Sequence, residues 1–415
     1  MNAFTLAFLA ALALATATRI WLAARHIRYV AAHRERVPAE FAESVPLPAH
    51  QKAADYTRAR TRLGIVDALV SAAVLLAFTL GGGLEWLYDA WARAFQAGGY
   101  AHGIALILCV AAITGLADLP FSIYRTFVIE AKYGFNRMTP ALFVADLAKS
   151  IALGLAIGVP LLFAVLWLMA RMGSLWWLYV WLTWVGFNLL MLVAYPTLIA
   201  PLFNKFSPLA DESLRERIER LLAKCGFRSK GLFVMDGSKR SSHGNAYFTG
   251  FGAAKRIVFF DTLLTRLGPA EVEAVLAHEL GHFKRHHVWK RIAWLFLASL
   301  GFLALLGYVI DQAWFYEGLG ADRRSTALAL VLFFMVVPVF TFLLAPIGSV
   351  YSRRHEYEAD AYAAHHASGA DLVHALVKLY QDNAATLTPD PVHSAFYDSH
   401  PPAALRIARL QALAR

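Results

Sequence analysis

Residues 327–347 read ALALVLFFMVVPVFTFLLAPI, twenty-one positions without a charge. A helix needs about twenty apolar residues to cross the hydrocarbon of a bilayer, so this stretch predicts a transmembrane span. Working outward, six more runs of similar length stand at about 3–23, 64–88, 103–124, 145–170, 175–200 and 292–310. The run at 145–170 opens on polar residues, which places its first turns outside the hydrocarbon. Composition agrees: 58% of residues are hydrophobic and 16% charged, with mean hydropathy +0.49. Soluble domains average about 45–50% apolar and 25% charged. The predicted fold class is a multi-span α-helical membrane protein with seven transmembrane helices.

Charge orients the spans. Of 39 Lys and Arg, 8 fall in residues 25–62, 4 in 125–149, 16 in 201–291 and 6 in 348–415; the alternate loops hold 1, 1 and 2, and Arg19 lies inside the first run. Positively charged loops stay cytoplasmic, so the N-terminus is expected outside and residues 201–291 and 348–415 inside. The formal net charge of +10 is then a topology signal with affinity for anionic lipid. No aromatic-basic interleaving asks for nucleic acid. The positives follow the first run instead of preceding it, which favours an uncleaved span over a signal peptide. The two cysteines, Cys109 in the third span and Cys225 in the polar region, are expected to form neither a disulfide nor a thiolate metal site.

Immediately after the seventh span comes Arg353-Arg354-His355-Glu356-Tyr357-Glu358-Ala359-Asp360. Glu356 and Asp360 are four apart, so on a helix both carboxylates face one way. Upstream, His278-Glu279-Leu280-Gly281-His282 follows a helix start at Gly268-Pro269-Ala270-Glu271, with Pro at the first helical position and an acid in the first turn. Val272, Val275, Leu276 and Leu280 keep helical spacing. His278 and His282 can therefore converge on one ion, with Glu279 beside it, where a carboxylate can take a proton from water.

A hydrolytic zinc site usually has three protein ligands. His286 lies about 12 Å further along a continuous helix, too far to serve. Glu356 is the best third ligand, and Asp360 could accept the free ring N–H of a ligating His. Glu358 points away from that face, and it and His365-His366 are poorer candidates. One Zn2+ per chain is expected.

Residues 201–291 read as a small α+β unit: an amphipathic helix over 213–225, a strand over 232–235, and a hairpin whose arms, 245–249 and 256–260, flank Gly250–Lys255. The organisation expected is spans one to five in residues 1–200, the α+β unit in 201–291, spans six and seven in 292–347, and a tail in 348–415, acting as one cooperative assembly. Asp67, His102, Asp118, Glu130, Asp146 and Lys149 fall in or near spans. They read either as interfacial charges, with Asp146 paired to Lys149, or as the lining of a hydrated cavity.

Seven spans, the His-Glu-x-x-His before the sixth and the Glu-x-x-x-Asp after the seventh resemble the integral-membrane zinc metalloproteases of the type I CAAX prenyl protease family. Residues 132–136 (KYGFN), 199–209 (IAPLFNKFSPL), 237–248 (GSKRSSHGNAYF) and 399–402 (SHPP) are family-like too. The resemblance implies a ring of seven helices around a water-filled chamber, with a zincin-like unit closing its cytoplasmic end. It implies His278, His282 and Glu356 as zinc ligands and Glu279 as the base. For Asp360 the family role is proton donor, although support of a zinc ligand fits its chemistry better. It also implies substrate adding as a strand along Asn245, Ala246, Tyr247 and Phe248, and Asn245, His400 and Arg406 at the substrate carbonyl.

The expected partners are a peptide or protein substrate, lipidated or not, and membrane lipid, with the chain a monomer. The Ala- and Arg-rich composition points to a high-GC bacterial genome, hence an inner-membrane location. Two alternatives stay open at this stage: a heat-shock-type quality-control protease, and a non-enzymatic transporter or scaffold with structural zinc.

Overall fold

The computed structural model describes residues 2–249 and 254–413. Seven helices among them are long and apolar enough to cross a membrane: Ala3–Ala32, Leu47–Phe78, Tyr100–Glu130, Pro140–Arg171, Gly173–Phe203, His287–Val309 and Thr326–His366. The chain marks their starts with local chemistry. Asn2 and Thr5 form a reciprocal capping box on the first helix, Thr139 accepts from Leu142 N ahead of Pro140, and Ser325 accepts from Leu328 N; each pairs an amide that a helix start leaves without a partner.

The end of the second span differs most tellingly from the hydropathy reading. The second helix begins at Leu47 and stops at Phe78, and residues 83–88 belong to a separate short helix, Gly83–Ala92. Gly81-Gly82-Gly83 makes the break: Gly82 has φ +75°, and a Cβ on Gly81 or Gly83 would stand 2.8 or 2.7 Å from the Ala77 carbonyl oxygen. Hydropathy sees a continuous apolar run there, whereas the turn needs residues without side chains.

The helices share a core that includes Phe8, Leu84, Leu106, Leu166, Leu306 and Leu332. They surround an internal cavity of about 1140 Å³ lined by Arg19, Arg60, Asp67, Asp118, Arg125 and His243 among others. Asp67 and Asp118 thus face this cavity. Asp146 does not pair with Lys149. It accepts two bonds from Arg240, 2.7 and 3.1 Å, while Lys149 Nζ donates to the Leu202 carbonyl at 3.0 Å. The guanidinium fork matches a carboxylate better than an ammonium can.

The extramembrane unit is built on a four-stranded sheet of β1 (Phe206–Pro208), β2 (Arg228–Met235), β3 (Ala246–Thr249) and β4 (Ala254–Phe260), in the order β1-β2-β4-β3. β1 and β2 are antiparallel, β2 and β4 parallel, β3 and β4 antiparallel. The strand expected at 232–235 is the second half of β2, and both arms of the hairpin are present, but β1, whose three residues include a proline, was not expected. Residues 250–253 of the expected hairpin turn lie outside the described residues. The amphipathic helix Glu212–Lys224, capped by Asp211, buries Leu214, Ile218, Leu221 and Leu222 against Leu232, Ile257 and Phe259 of the sheet and Leu276 and Leu280 of the helix Pro269–Lys284.

Candidate active site

The helix Pro269–Lys284 carries His278, Glu279 and His282. Its start is fixed by Glu271, which accepts from Gly268 N at 2.7 Å and from Lys378 Nζ at 2.8 Å. It packs against Ala345–His366, the last segment of the long helix Thr326–His366, which carries Glu356 and Asp360. Gly281 sets their separation: a Cβ at that position would stand 3.0 Å from Ala359 Cα. A glycine inside the His-Glu-x-x-His motif therefore lets the two helices come close enough for their side chains to meet.

They meet at one point. His278 Nε2 and His282 Nε2 are 3.2 Å apart; Glu356 Oε2 is 3.5 Å from the first and Glu356 Oε1 3.4 Å from the second. Ligand atoms of the three lie within 4.8 Å of one another. His278 and Glu356 are buried, and Glu356 Oε2 has no hydrogen-bond partner. A buried carboxylate oxygen without a donor is costly. Two imidazole nitrogens and a carboxylate oxygen converging in this way are a donor set that suits Zn2+ with a position left open. Burial works against a charge on His278, but the adjoining Asp360 and Glu356 carboxylates outweigh it and lift its pKa to about 9. The cluster is built to hold positive charge. Glu279 sits half-buried on the same helix.

Behind the cluster, His278 Nδ1 lies 2.9 Å from Asp360 Oδ1. Arg406, on the helix Ala403–Leu413, grips Asp360 with two bonds of 2.9 and 2.6 Å. It is only 5% exposed, and Nη1 stands 3.7 Å from Glu356 Oε2. Arg406, expected at the substrate carbonyl, is buried beside the ligands, where its charge balances two carboxylates. His400 is exposed, with Nε2 3.5 Å from Glu356 Oε1. It follows the short helix Pro391–Tyr397, whose capping Asp390 accepts from Arg25 Nε of the first span at 3.0 Å.

β3 is an edge strand: one side pairs with β4, and no other described strand covers the opposite side. Asn245, exposed at its start, accepts from Phe260 N through its carbonyl and from Ala246 N through its side chain. Tyr247 and Ala246 are half-buried, and the Phe248 ring lies 5.7 Å from that of Phe283 on the metal helix. The preceding loop is tied to the membrane helices by Arg240, bonded to Asp146, Asn204 and the Phe203 carbonyl. His243 adds a tie to Asn383, at the end of the helix Gly369–Asp382, at 3.0 Å, and stands 3.6 Å from Glu130 of the third membrane helix. Stretches 199–209 and 237–248 thus meet.

One residue near the cluster, His287, escaped the sequence reading. His287 Nδ1 lies 3.0 Å from His282 Nδ1, and His287 Nε2 lies 3.0 Å from Glu358 Oε2. Glu358 does leave the Glu356 face, but toward His287. His286 ends the helical face instead of extending it, since it adopts φ +58° between two helices.

A chain of this fold with such a site is a membrane-embedded metalloendopeptidase, a hydrolase of peptide bonds. Residues 26–205 match the family described as CAAX prenyl protease N-terminal, five membrane helices, and residues 208–414 match peptidase family M48. The chain is 40% identical over 314 residues to the CAAX prenyl protease 1 homolog of Oryza sativa subsp. japonica, covering 75% of this chain and 73% of the relative. It is 37% identical over 331 residues to CAAX prenyl protease 1 of Saccharomyces cerevisiae, covering 75% and 72%. The crystal structure of S. mikatae Ste24p superposes with a TM-score of 0.89 at 30% identity, over 99% of each chain. The chain belongs to the CAAX prenyl protease family within peptidase family M48. That membership sets aside the non-enzymatic scaffold.

Proposed function

We propose that this chain is a zinc endopeptidase that processes the C-terminal region of CAAX-type prenylated peptides, with its site at the cytoplasmic end of the internal cavity and its N-terminus outside. The observation that carries the reading is the convergence of His278, His282 and Glu356 from two helices. The excess of Lys and Arg on one side supports the orientation; if the host is bacterial, the membrane is the inner one. The relatives' names support the substrate class, and one zinc per monomeric chain completes the proposal.

His278, His282 and Glu356 would hold the ion. Bound zinc supplies an electrophile for the scissile carbonyl and acidifies water. Glu279 takes a proton from the attacking water and delivers it to the leaving amine as the C–N bond breaks. Asp360 accepts the His278 Nδ1–H, which keeps the Nε2 lone pair directed at the ion, so its part is support of a ligand and not proton donation. Substrate adds along the free edge of β3 by backbone pairing, with Ala246 and Tyr247 in the pairing stretch and Asn245 at its start. His400 and Asn245 are the exposed donors for the carbonyl oxygen as it gains negative charge. One well-placed donor of this kind contributes about 2.7–4 kcal/mol.

The test is Glu279→Gln in the full-length protein. It should retain zinc at one per chain and lose roughly three to six orders of magnitude in peptide cleavage. Undiminished cleavage by that variant would refute the assignment, as would a parent enzyme indifferent to chelation.

A further inference from the structure

His278 and His282 fix their second ring nitrogens by different means. A histidine that binds a cation through Nε2 carries its proton on Nδ1, and that N–H must donate. His278 has a carboxylate for the purpose, Asp360. His282 instead faces another imidazole, His287, which is 1% exposed. Two Nδ1 atoms 3.0 Å apart share one proton. If His282 donates, His287 is bare at Nδ1 and protonated at Nε2, and that Nε2 faces Glu358 Oε2 at 3.0 Å. Every donor then meets an acceptor. In the reverse order His282 would carry its proton on the metal-facing Nε2, and a lone pair on His287 would confront the Glu358 carboxylate. Glu358 selects the first order.

The backbone and the surrounding rings are arranged to hold this contact. Five residues along a continuous α-helix is about 140° round the axis, so residues 282 and 287 would not touch. The left-handed conformation of His286 (φ +58°) breaks the helix and returns the His287 ring to His282. A non-glycine residue in that conformation stores strain that the fold must offset. The ring is then stacked on His355, centroids 3.9 Å apart and planes 7° from parallel, and Glu358 is backed by Arg354 at 3.4 Å.

We propose that His287 and Glu358 are positioning residues which lock His282 in its metal-binding tautomer. The proposal rests on the zinc reading above. Its test uses the full-length enzyme, zinc-loaded in detergent, with zinc release to excess chelator, kcat and KM, and melting of the zinc-free form as readouts. His287→Phe keeps a stacked ring and deletes both nitrogens; Glu358→Gln, at a 35% exposed side chain, supplies an amide that tolerates either order. His287→Phe should weaken zinc retention about 10- to 100-fold and lower kcat with KM nearly unchanged, without lowering the melting point of the zinc-free protein. Glu358→Gln should shift both in the same direction by less. His287→Asn, which returns a carbonyl oxygen near the Nδ1 position, should recover part of the loss. Zinc release within about twofold of the parent in both His287→Phe and Glu358→Gln overturns the proposal, as does a loss that only tracks the melting point. Should His287→Phe fail to fold, Glu358→Gln decides alone. A parent that holds no stoichiometric zinc sinks the underlying reading instead.

Discussion

Gly281→Ala adds one methyl where the metal helix crosses the helix bearing Glu356. That Cβ would lie 3.0 Å from Ala359 Cα, 3.0 Å from Tyr362 Cβ and 3.2 Å from the Ala359 carbonyl oxygen. Carbon atoms rest at about 3.5–4.0 Å, and two of the three neighbours are backbone and cannot rotate away. The helices must therefore part by about 0.5 Å. Metal–ligand distances tolerate about 0.2 Å, and the ligands come from both helices, so the methyl and the ion compete for one spacing. Overpacking of this kind costs about 1–3 kcal/mol. If losing the metal relieves the strain, zinc affinity falls roughly 5- to 150-fold. Alanine also favours the helix by about 0.8–1 kcal/mol, but equally with and without metal, so that gain touches stability and not affinity. Competition against a chromogenic chelator measures the affinity. Gly301→Ala, whose Cβ would meet nothing within 4 Å, is the control and should match the parent. A Gly281→Ala variant that binds zinc within about twofold of the parent would refute the close-approach reasoning.

Arg406→Met should destabilise the metal-free protein by about 1–3 kcal/mol, because it removes two of the hydrogen bonds to the buried Asp360 carboxylate and leaves His278 as its remaining partner. Adding Asp360→Asn should restore much of that loss, and thermal melts of the single and double variants check it. A farnesylated CAAX peptide should be cleaved faster than its unprenylated twin at the same bond. Equal rates, with cut sites mapped by mass spectrometry, would remove the case for lipid recognition and favour the quality-control alternative.

The seven spans were legible because hydrophobic thickness leaves a local mark about twenty residues long. The His278–His282 pair and the Glu356–Asp360 pair were legible because helical periodicity puts residues four apart on one face. Where the account needed tertiary contact, periodicity was silent. Arg406 reaches Asp360 across 46 residues, and no local pattern separates a buried arginine from a surface one. His287 meets His282 only because His286 turns left-handed, which a histidine does not announce. Asp146 had a plausible partner three residues away in Lys149, yet a guanidinium 94 positions distant took it. The end of the second span was hidden for a different reason: Gly81–Gly83 are apolar enough to extend a hydropathy run while conformationally able to stop a helix. β1 was too short to carry an alternation, and the parallel pairing of β2 with β4 depends on a crossover that strand patterns do not encode.

The most direct measurement is anomalous diffraction at the zinc edge on crystals of the zinc-loaded protein. One ion should appear, bonded to His278 Nε2, His282 Nε2 and a Glu356 oxygen at about 2.0–2.2 Å, with Glu279 beside the remaining open position. An ion held by the two histidines with Glu356 well beyond bonding distance, or an ion closed off by a fourth protein ligand, would contradict the account.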